Sequence, residues 1–278
     1  MGLTTADVMQ VSLDLVGWED VPGDSTVYVP GEDIETALVG IDLESPEVQL
    51  AHREGYDLAL AHHPVGGAAR LEFTDVLDRQ VEFMTAHGVD EARAEDAVAD
   101  MRSRLDHSAH ASNYRHDPSV AELLDQPYMN VHLAPDELGR RAFADVVEEL
   151  GPDATVADLR TAFEGRFPAF AAAETDVVAR LGSMDDELGE VAVHHAAGTN
   201  GGSEVARAYF DAGVDTVLYI HVGGGDTAEL REEFGDTDHT LVVTGHVASD
   251  AVGLNAYVDA LEERGLDCTT VSGCGLGR

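Results

Sequence analysis

The chain has 278 residues, with 54 acidic against 16 basic side chains and a formal net charge of −38. A surface this negative repels phosphate backbones, which excludes nucleic acid as a partner bound through bulk electrostatics. Two cysteines do not make a disulfide framework, and no apolar run approaches the length of a membrane span. We therefore expect a soluble cytoplasmic protein without a leader peptide.

The acidic residues are spread along the whole chain, and all 16 basic residues are arginine. An apolar content of 44% is ordinary, so the chain is not a disordered acidic segment. In molar salt the Debye length falls to roughly 3 Å, and the self-repulsion of such a surface is screened. The composition favours a halophilic protein over an acidic surface that binds a basic partner.

The first half of the chain predicts a βαβ unit. The patterns indicate a helix at 4–15, a strand at 36–42, a helix at 45–55 and a strand at 56–61 that ends at His62-His63-Pro64. The two strands of such a unit are parallel, with a right-handed crossover. Ligands gather at the carboxyl ends of parallel strands, where His62 and His63 lie. A pair of polar residues leaving a strand is the alternative.

The middle of the chain predicts a heavily charged segment of helical pattern at 71–105, an irregular segment at 106–127, a strand at 128–133 and a helix at 135–150. Within the irregular segment, His107 and His110 have helical spacing that suits a metal ion. Scattered surface histidines, with His116 among them, are the favoured interpretation. Gly151-Pro152 is the best candidate boundary, so we predict halves at 1–150 and 151–278, interlaced into one unit.

The second half repeats the alternation of strands and helices. Strands are predicted at 176–181, 190–195, 216–220, 240–244 and 268–271, and helices at 155–163, 203–212, 227–234 and 249–264. His194-His195 end one of these strands, beside the glycine-rich loop 198–202. A second metal pair and a phosphate loop are possible interpretations. We favour pocket lining for the histidines and a structural turn for the glycines.

Three segments place candidate ligands at strand ends: His62-His63, then His132 with Asp136, then His246 with Asp250. In the last two, an aspartate follows a histidine by four residues, which sets both side chains on one face where a helix starts. Imidazole with carboxylate suits zinc, iron or manganese. Up to six ligands exceed the needs of one tetrahedral ion and suit two ions roughly 3.5–4 Å apart. Ordinary strand-to-helix junctions with capping aspartates are the alternative.

The order and spacing of these segments resemble the NIF-three-like family of dinuclear-metal-centre hexameric proteins, labelled GTP cyclohydrolase type 2 homologs. The resemblance covers most of the chain. It rests on Leu38-Val39-Gly40-Ile41-Asp42, on Asp57 to Pro64, on His132 to Asp136, and on Thr244-Gly245-His246 with Asp250 and Gly253. It implies an α/β fold of two similar interlaced halves, assembled as a homohexamer with metals facing the inside of a ring.

The resemblance also implies a ligand set, namely His62, His63, Asp136, His246 and Asp250 around two divalent ions of zinc, iron or manganese, with His132 beside them. Two departures stand out. The family usually has glutamate where this chain has Asp250, and its threonine-glycine-acid segment is replaced by residues 219–226. The first requires an adjustment of the metal distance or the helix, and the second bears on substrate contacts.

These observations predict a metal-dependent hydrolase that acts on a nucleotide or related small molecule, with His132 or His195 moving the proton. The family label points to GTP, although the residues themselves indicate no guanine pocket. Two other functions stay open. One is a metal-handling protein without catalysis, and the other is a regulatory ring in which the metal is structural.

Overall fold

A computed structural model describes residues 2–278. Nine strands lie within that range: β1 (Thr26–Val29), β2 (Thr36–Gly40), β3 (Leu58–Ala61), β4 (Tyr128–Asn130), β5 (Val178–Leu181), β6 (Val191–Val193), β7 (Thr216–Tyr219), β8 (Thr240–Val243) and β9 (Asp267–Val271). None of the helices in the same range has the length and apolar content needed to cross a membrane.

Twelve α-helices connect these strands within residues 2–278. They are α1 (Thr5–Val16), α2 (Ser45–Glu54), α3 (Gly67–Leu71), α4 (Asp78–Ala86), α5 (Glu91–Ala111), α6 (His116–Leu124), α7 (Leu133–Leu150), α8 (Val156–Arg166), α9 (Pro168–Ala172), α10 (Gly202–Asp211), α11 (Gly224–Phe234) and α12 (His246–Glu263). Thr4 caps the first helix, because its side chain accepts a hydrogen bond from the Asp7 amide.

The chain divides into two units, each built from three segments of sequence. The first unit comprises the chain up to Val76, Arg104–Leu138 and Asp250–Leu276, and the second comprises Leu77–Ser103, Gly139–Ser249 and the last two residues. The predicted division at 1–150 and 151–278 stays a prediction.

The first unit is a five-stranded sheet in the order β1-β4-β3-β2-β9. Strand β1 runs antiparallel to β4, and the other neighbours are parallel, including the predicted pair β2 and β3. Alternate residues of each strand point to opposite faces. Val39 and Leu60 pack towards α1 and α12 on one face, whereas Leu38 and Ala59 pack towards α2 and α6 on the other. Helices therefore cover the sheet on both sides.

The second unit is a four-stranded sheet in the order β5-β8-β7-β6. Strand β5 is antiparallel to its neighbour β8, and the other neighbouring strands are parallel to each other. The first unit has the same order among its first four strands, with β9 added at the edge. This repeated topology confirms the predicted α/β fold of two similar interlaced halves, and it makes the β4–α7 and β8–α12 junctions topological equivalents.

The segment from 106 to 127 differs from the prediction. The charged segment before it is helical as predicted, in the form of α3, a 3₁₀ turn at Phe73–Leu77, α4 and α5, whereas the segment predicted to be irregular holds the end of α5 and all of α6. These helices have few apolar residues, so their periodicity in the sequence is weak. His107, His110 and His116 are exposed on them.

Candidate metal centre

The predicted histidines follow the parallel strands of the first unit. After β3 ends, the amides of His62 and His63 donate to the carbonyl groups of Gly40 and Ile41, which extends the pairing of the strand by two residues. His132 follows β4 and precedes α7, and its amide donates to the Ser25 hydroxyl. The three imidazole rings lie 4.7–5.6 Å apart between centroids. The strand ends therefore bring His62, His63 and His132 together.

Each of these three histidines uses its Nδ1 atom to contact an outer oxygen. The Nδ1 of His62 lies 3.0 Å from the carbonyl oxygen of Val131. The Nδ1 of His63 lies 2.7 Å from Asp42, and that of His132 lies 2.7 Å from Asp24. Histidines that bind metals hold their second nitrogen in this way, which fixes the ring and its tautomer.

The Nε2 atoms face two carboxylates. The Nε2 of His62 lies 3.2 Å from Asp136 and 4.0 Å from Asp250, and the Nε2 of His63 lies 3.6 Å from Asp250. The Nε2 of His132 lies 3.6 Å from Asp136 in the first turn of α7. Within the first unit, two groups have ligand atoms within 4.8 Å of one another: His62 with His63 and His132, and His62 with Asp136 and Asp250.

The contacts of His62 indicate a cation. A carbonyl oxygen only accepts hydrogen bonds, so Nδ1 carries the hydrogen that points to Val131. In the neutral ring, Nε2 then presents a lone pair, and this buried atom forms no hydrogen bond although the Asp136 carboxylate is close. Two acceptors face each other in a dry site unless a cation lies with them. The residues present therefore fit a divalent metal ion.

The centre is largely closed to solvent. The side chains of His62 and Asp250 are almost fully buried, those of Asp136 and His132 are below one tenth exposed, and that of His63 is 23% exposed. Burial disfavours the charged form of His132, but the carboxylates of Asp136 and Asp24 outweigh that cost and raise its pKa to about 9. The acidic field of the centre thus favours a positive charge beside it.

Supporting residues that the sequence did not indicate hold this arrangement. Asn130 is fully buried, and its amide donates to the backbone carbonyl groups of Asp24 and His62. The Tyr28 hydroxyl donates to the side-chain oxygen of the same Asn130. The loop that carries Asp24 is thereby tied to the end of β3. The only sequence signal was a lone asparagine within an apolar strand, since β1 itself was not predicted.

The remaining predicted residues lie as follows. His246 is the first residue of α12, one turn before Asp250, so the helix starts earlier than the predicted residue 249. His195 belongs to the second unit, where it is buried with its ring stacked on Phe143. The Nδ1 of its neighbour His194 lies 3.0 Å from the Tyr209 hydroxyl. The roles of His246, His194 and His195 stay predictions.

Fold and site together define a class: an α/β protein with a buried histidine and aspartate centre at the ends of parallel strands. No protein-family model and no curated protein matches the chain. Among solved structures, it is similar to a NIF3 superfamily protein from Sphaerobacter thermophilus at 45% identity and a TM-score of 0.93, over 98% of this chain and 99% of that one. The chain therefore belongs to the NIF3 superfamily.

More distant structures share the fold alone. Reduced HcgD from Methanocaldococcus jannaschii is 13% identical with a TM-score of 0.56, over 97% of this chain and 99% of that one. Protein YbgI, described as of unknown function, is 17% identical with a TM-score of 0.54, over 97% of this chain and 98% of that one. The predicted family is confirmed, and these two structures carry no residue roles over to this chain.

Proposed function

We propose that the chain binds two divalent metal ions and acts as a metal-dependent hydrolase on a nucleotide or related small molecule. The nucleotide is suggested by the label of the family that the sequence resembles, GTP cyclohydrolase type 2 homologs. The convergence of the Nε2 atoms of His62 and His63 on two carboxylates, with His132 beside them, carries this proposal. Ions of zinc, iron or manganese suit this mixture of nitrogen and oxygen ligands.

One observation supports a pair of ions over one. The Nε2 of His62 can bind only one ion, because its Nδ1 holds the hydrogen that points to Val131. The Oδ2 of Asp250 lies 4.0 Å from that Nε2 and 3.6 Å from the Nε2 of His63, which suits a carboxylate shared by two ions. His246 stays a proposed ligand because it precedes Asp250 by one helical turn. Elemental analysis of purified protein tests this directly. We expect two metal ions per chain, and a single ion per chain would contradict the proposal.

The residues of the centre have different proposed roles in hydrolysis. Divalent ions at this centre would supply Lewis acidity, which lowers the pKa of water and polarises a substrate oxygen. Asp24 holds the ring of His132 in one orientation, with its Nε2 3.6 Å from Asp136. His132 is the proposed proton carrier because it lies beside the proposed metal ligands, with His195 as the second candidate. The burial of His62 and Asp250 excludes bulk water from one side.

Turnover of GTP and of simple phosphoesters by metal-loaded protein tests the enzyme proposal. We expect hydrolysis that is lost in His63→Ala and kept in His52→Ala, an exposed histidine of α2. No turnover above the His63→Ala level would overturn the proposal. Tight metal binding without turnover would then favour the metal-handling alternative.

The oligomer is a separate proposal. A homohexamer, as the family resemblance implies, predicts a solution mass six times that of the chain in light scattering. Loss of that mass on chelation would favour the regulatory ring with a structural metal. Retention of the hexamer together with loss of turnover would favour catalysis.

A further inference from the structure

A cavity of about 340 Å³ adjoins the candidate metal centre in the first unit. Its lining includes His63, Asp42, Glu44, Arg70, Asn113 and Asp117. His63 is the most exposed histidine of the centre, at 23% of its side chain, whereas His62 is closed to solvent. The accessible side of the centre therefore opens into this cavity.

A second cavity of about 170 Å³ adjoins the first, because Pro64 and Arg70 line both cavities. Its other walls are mainly apolar and come from Phe73, Leu105 and Ala109. The Phe73 ring also lies 6.2 Å from the ring of His132. An apolar recess and a polar recess thus meet at Arg70, beside the centre.

Among the described residues, Arg70 forms no ion pair with a carboxylate. It is half-buried on α3, and within residues 2–278 its guanidinium makes no ion pair and no hydrogen bond. Arg104 and Arg180, which also make none, are exposed. In a chain with 54 acidic residues, a half-buried arginine without a carboxylate is an exception that needs a physical reason.

Two of the three carboxylates that line the polar recess accept hydrogen bonds from other groups. Asp42 accepts from His63, and Asp117 accepts from the amide and hydroxyl of Ser45 at 2.8 and 2.6 Å. Guanidinium presents a planar fork of donors that matches the oxygens of phosphate or carboxylate, and it stays charged at every relevant pH. The local chemistry is that of a site for an anion brought from outside.

We propose that Arg70 binds the anionic group of a small-molecule ligand whose apolar or aromatic part packs against Phe73 and Leu105. The proposal rests on the proposed function insofar as the ligand is a substrate, because His63 lines the same cavity. It names a substrate class, an anion joined to an apolar body, and it names Arg70 as the residue that selects the anion.

Binding to metal-free protein separates this inference from the metal chemistry. The full chain, dialysed against chelator at fixed salt, is titrated by calorimetry with phenyl phosphate, phenol and inorganic phosphate. We expect phenyl phosphate to bind more tightly than either fragment. Arg70→Gln should weaken it at least tenfold and leave phenol unchanged, and Arg70→Lys should give an intermediate loss because it keeps the charge without the fork.

Two further variants complete the test. Phe73→Leu should weaken phenyl phosphate and not inorganic phosphate, and Arg53→Gln, which removes an exposed arginine paired with Glu54, should change nothing. Equal affinity in wild type and Arg70→Gln, or no binding of phenyl phosphate to the wild type, would overturn the inference. Absence of hydrolysis alongside Arg70-dependent binding would overturn only the proposed function.

Discussion

Removing the charge that holds His63 should weaken metal binding by a calculable amount. Asp42→Asn keeps an oxygen that accepts from Nδ1 at the 2.7 Å contact, but the acceptor becomes neutral. Hydrogen bonds to charged groups contribute about 1.5–3 kcal/mol, against about 0.5–1.5 for neutral pairs. Because 66% of the Asp42 side chain is exposed, we take the lower end of the difference, about 1 kcal/mol. That corresponds to about a fivefold rise in the Kd for metal.

Competition with a chromogenic zinc chelator measures this change. Asp20→Asn is the matched control, because Asp20 is exposed in the same unit and its substitution alters the net charge by the same amount. We expect a fivefold weaker Kd for Asp42→Asn and an unchanged Kd for Asp20→Asn. A Kd for Asp42→Asn within twofold of the wild type would refute the assignment of Asp42 as the outer partner of a metal ligand.

Three other outcomes follow from the same structure. Asp24→Asn should lower the turnover of metal-loaded protein about 100-fold, because Asp24 is fully buried and orients the proton-carrying ring of His132; turnover within twofold of the wild type would contradict that role. Burial, with a lesser contribution from His195 and His87, lowers the pKa of His194 to about 3. This value lies below the unfolded value of about 6.5, so the unfolded chain alone takes up a proton and stability falls as the pH drops through that window. Between pH 6.5 and 5, His194→Phe should therefore lose about 2 kcal/mol less unfolding free energy than the wild type, as measured by denaturant titrations at each pH. The same pH dependence of the unfolding free energy in both proteins would count against the burial argument. Because the net charge is −38, the thermal midpoint should rise by about 5 °C or more between 0.2 and 2 M potassium chloride, which corresponds to roughly 2 kcal/mol of unfolding free energy. A midpoint that calorimetry finds unchanged over this range of salt would argue against salt adaptation.

The sequence predicted those parts of the centre that depend on local chain geometry. The parallel pairing of β2 and β3 follows from one βαβ unit, and it places His62 and His63 at the carboxyl end of the sheet. The interval between His132 and Asp136 likewise predicts one face at the start of α7. Such features need only strand alternation and the helical repeat, which a single sequence contains.

The outer partners could not be predicted in this way. Asp24 reaches His132 because β1 pairs antiparallel with β4, a contact between residues more than 100 positions apart. Strand β1 has four half-buried residues, too few to give a clear alternation. Among 54 acidic residues, moreover, nothing in the sequence distinguishes Asp24 or Asp42 from the acids of the solvated surface. Long-range packing selects them.

The contact between His62 and the carbonyl of Val131 has a consequence for how the chain tolerates mutation. That oxygen belongs to the main chain, so a substitution at residue 131 leaves it in place, provided that the backbone keeps its course. The other two histidines depend on carboxylate side chains that one nucleotide change can remove. Mutations should therefore disorient His63 and His132 one at a time, and His62 should be the last of the three histidines to lose its orientation.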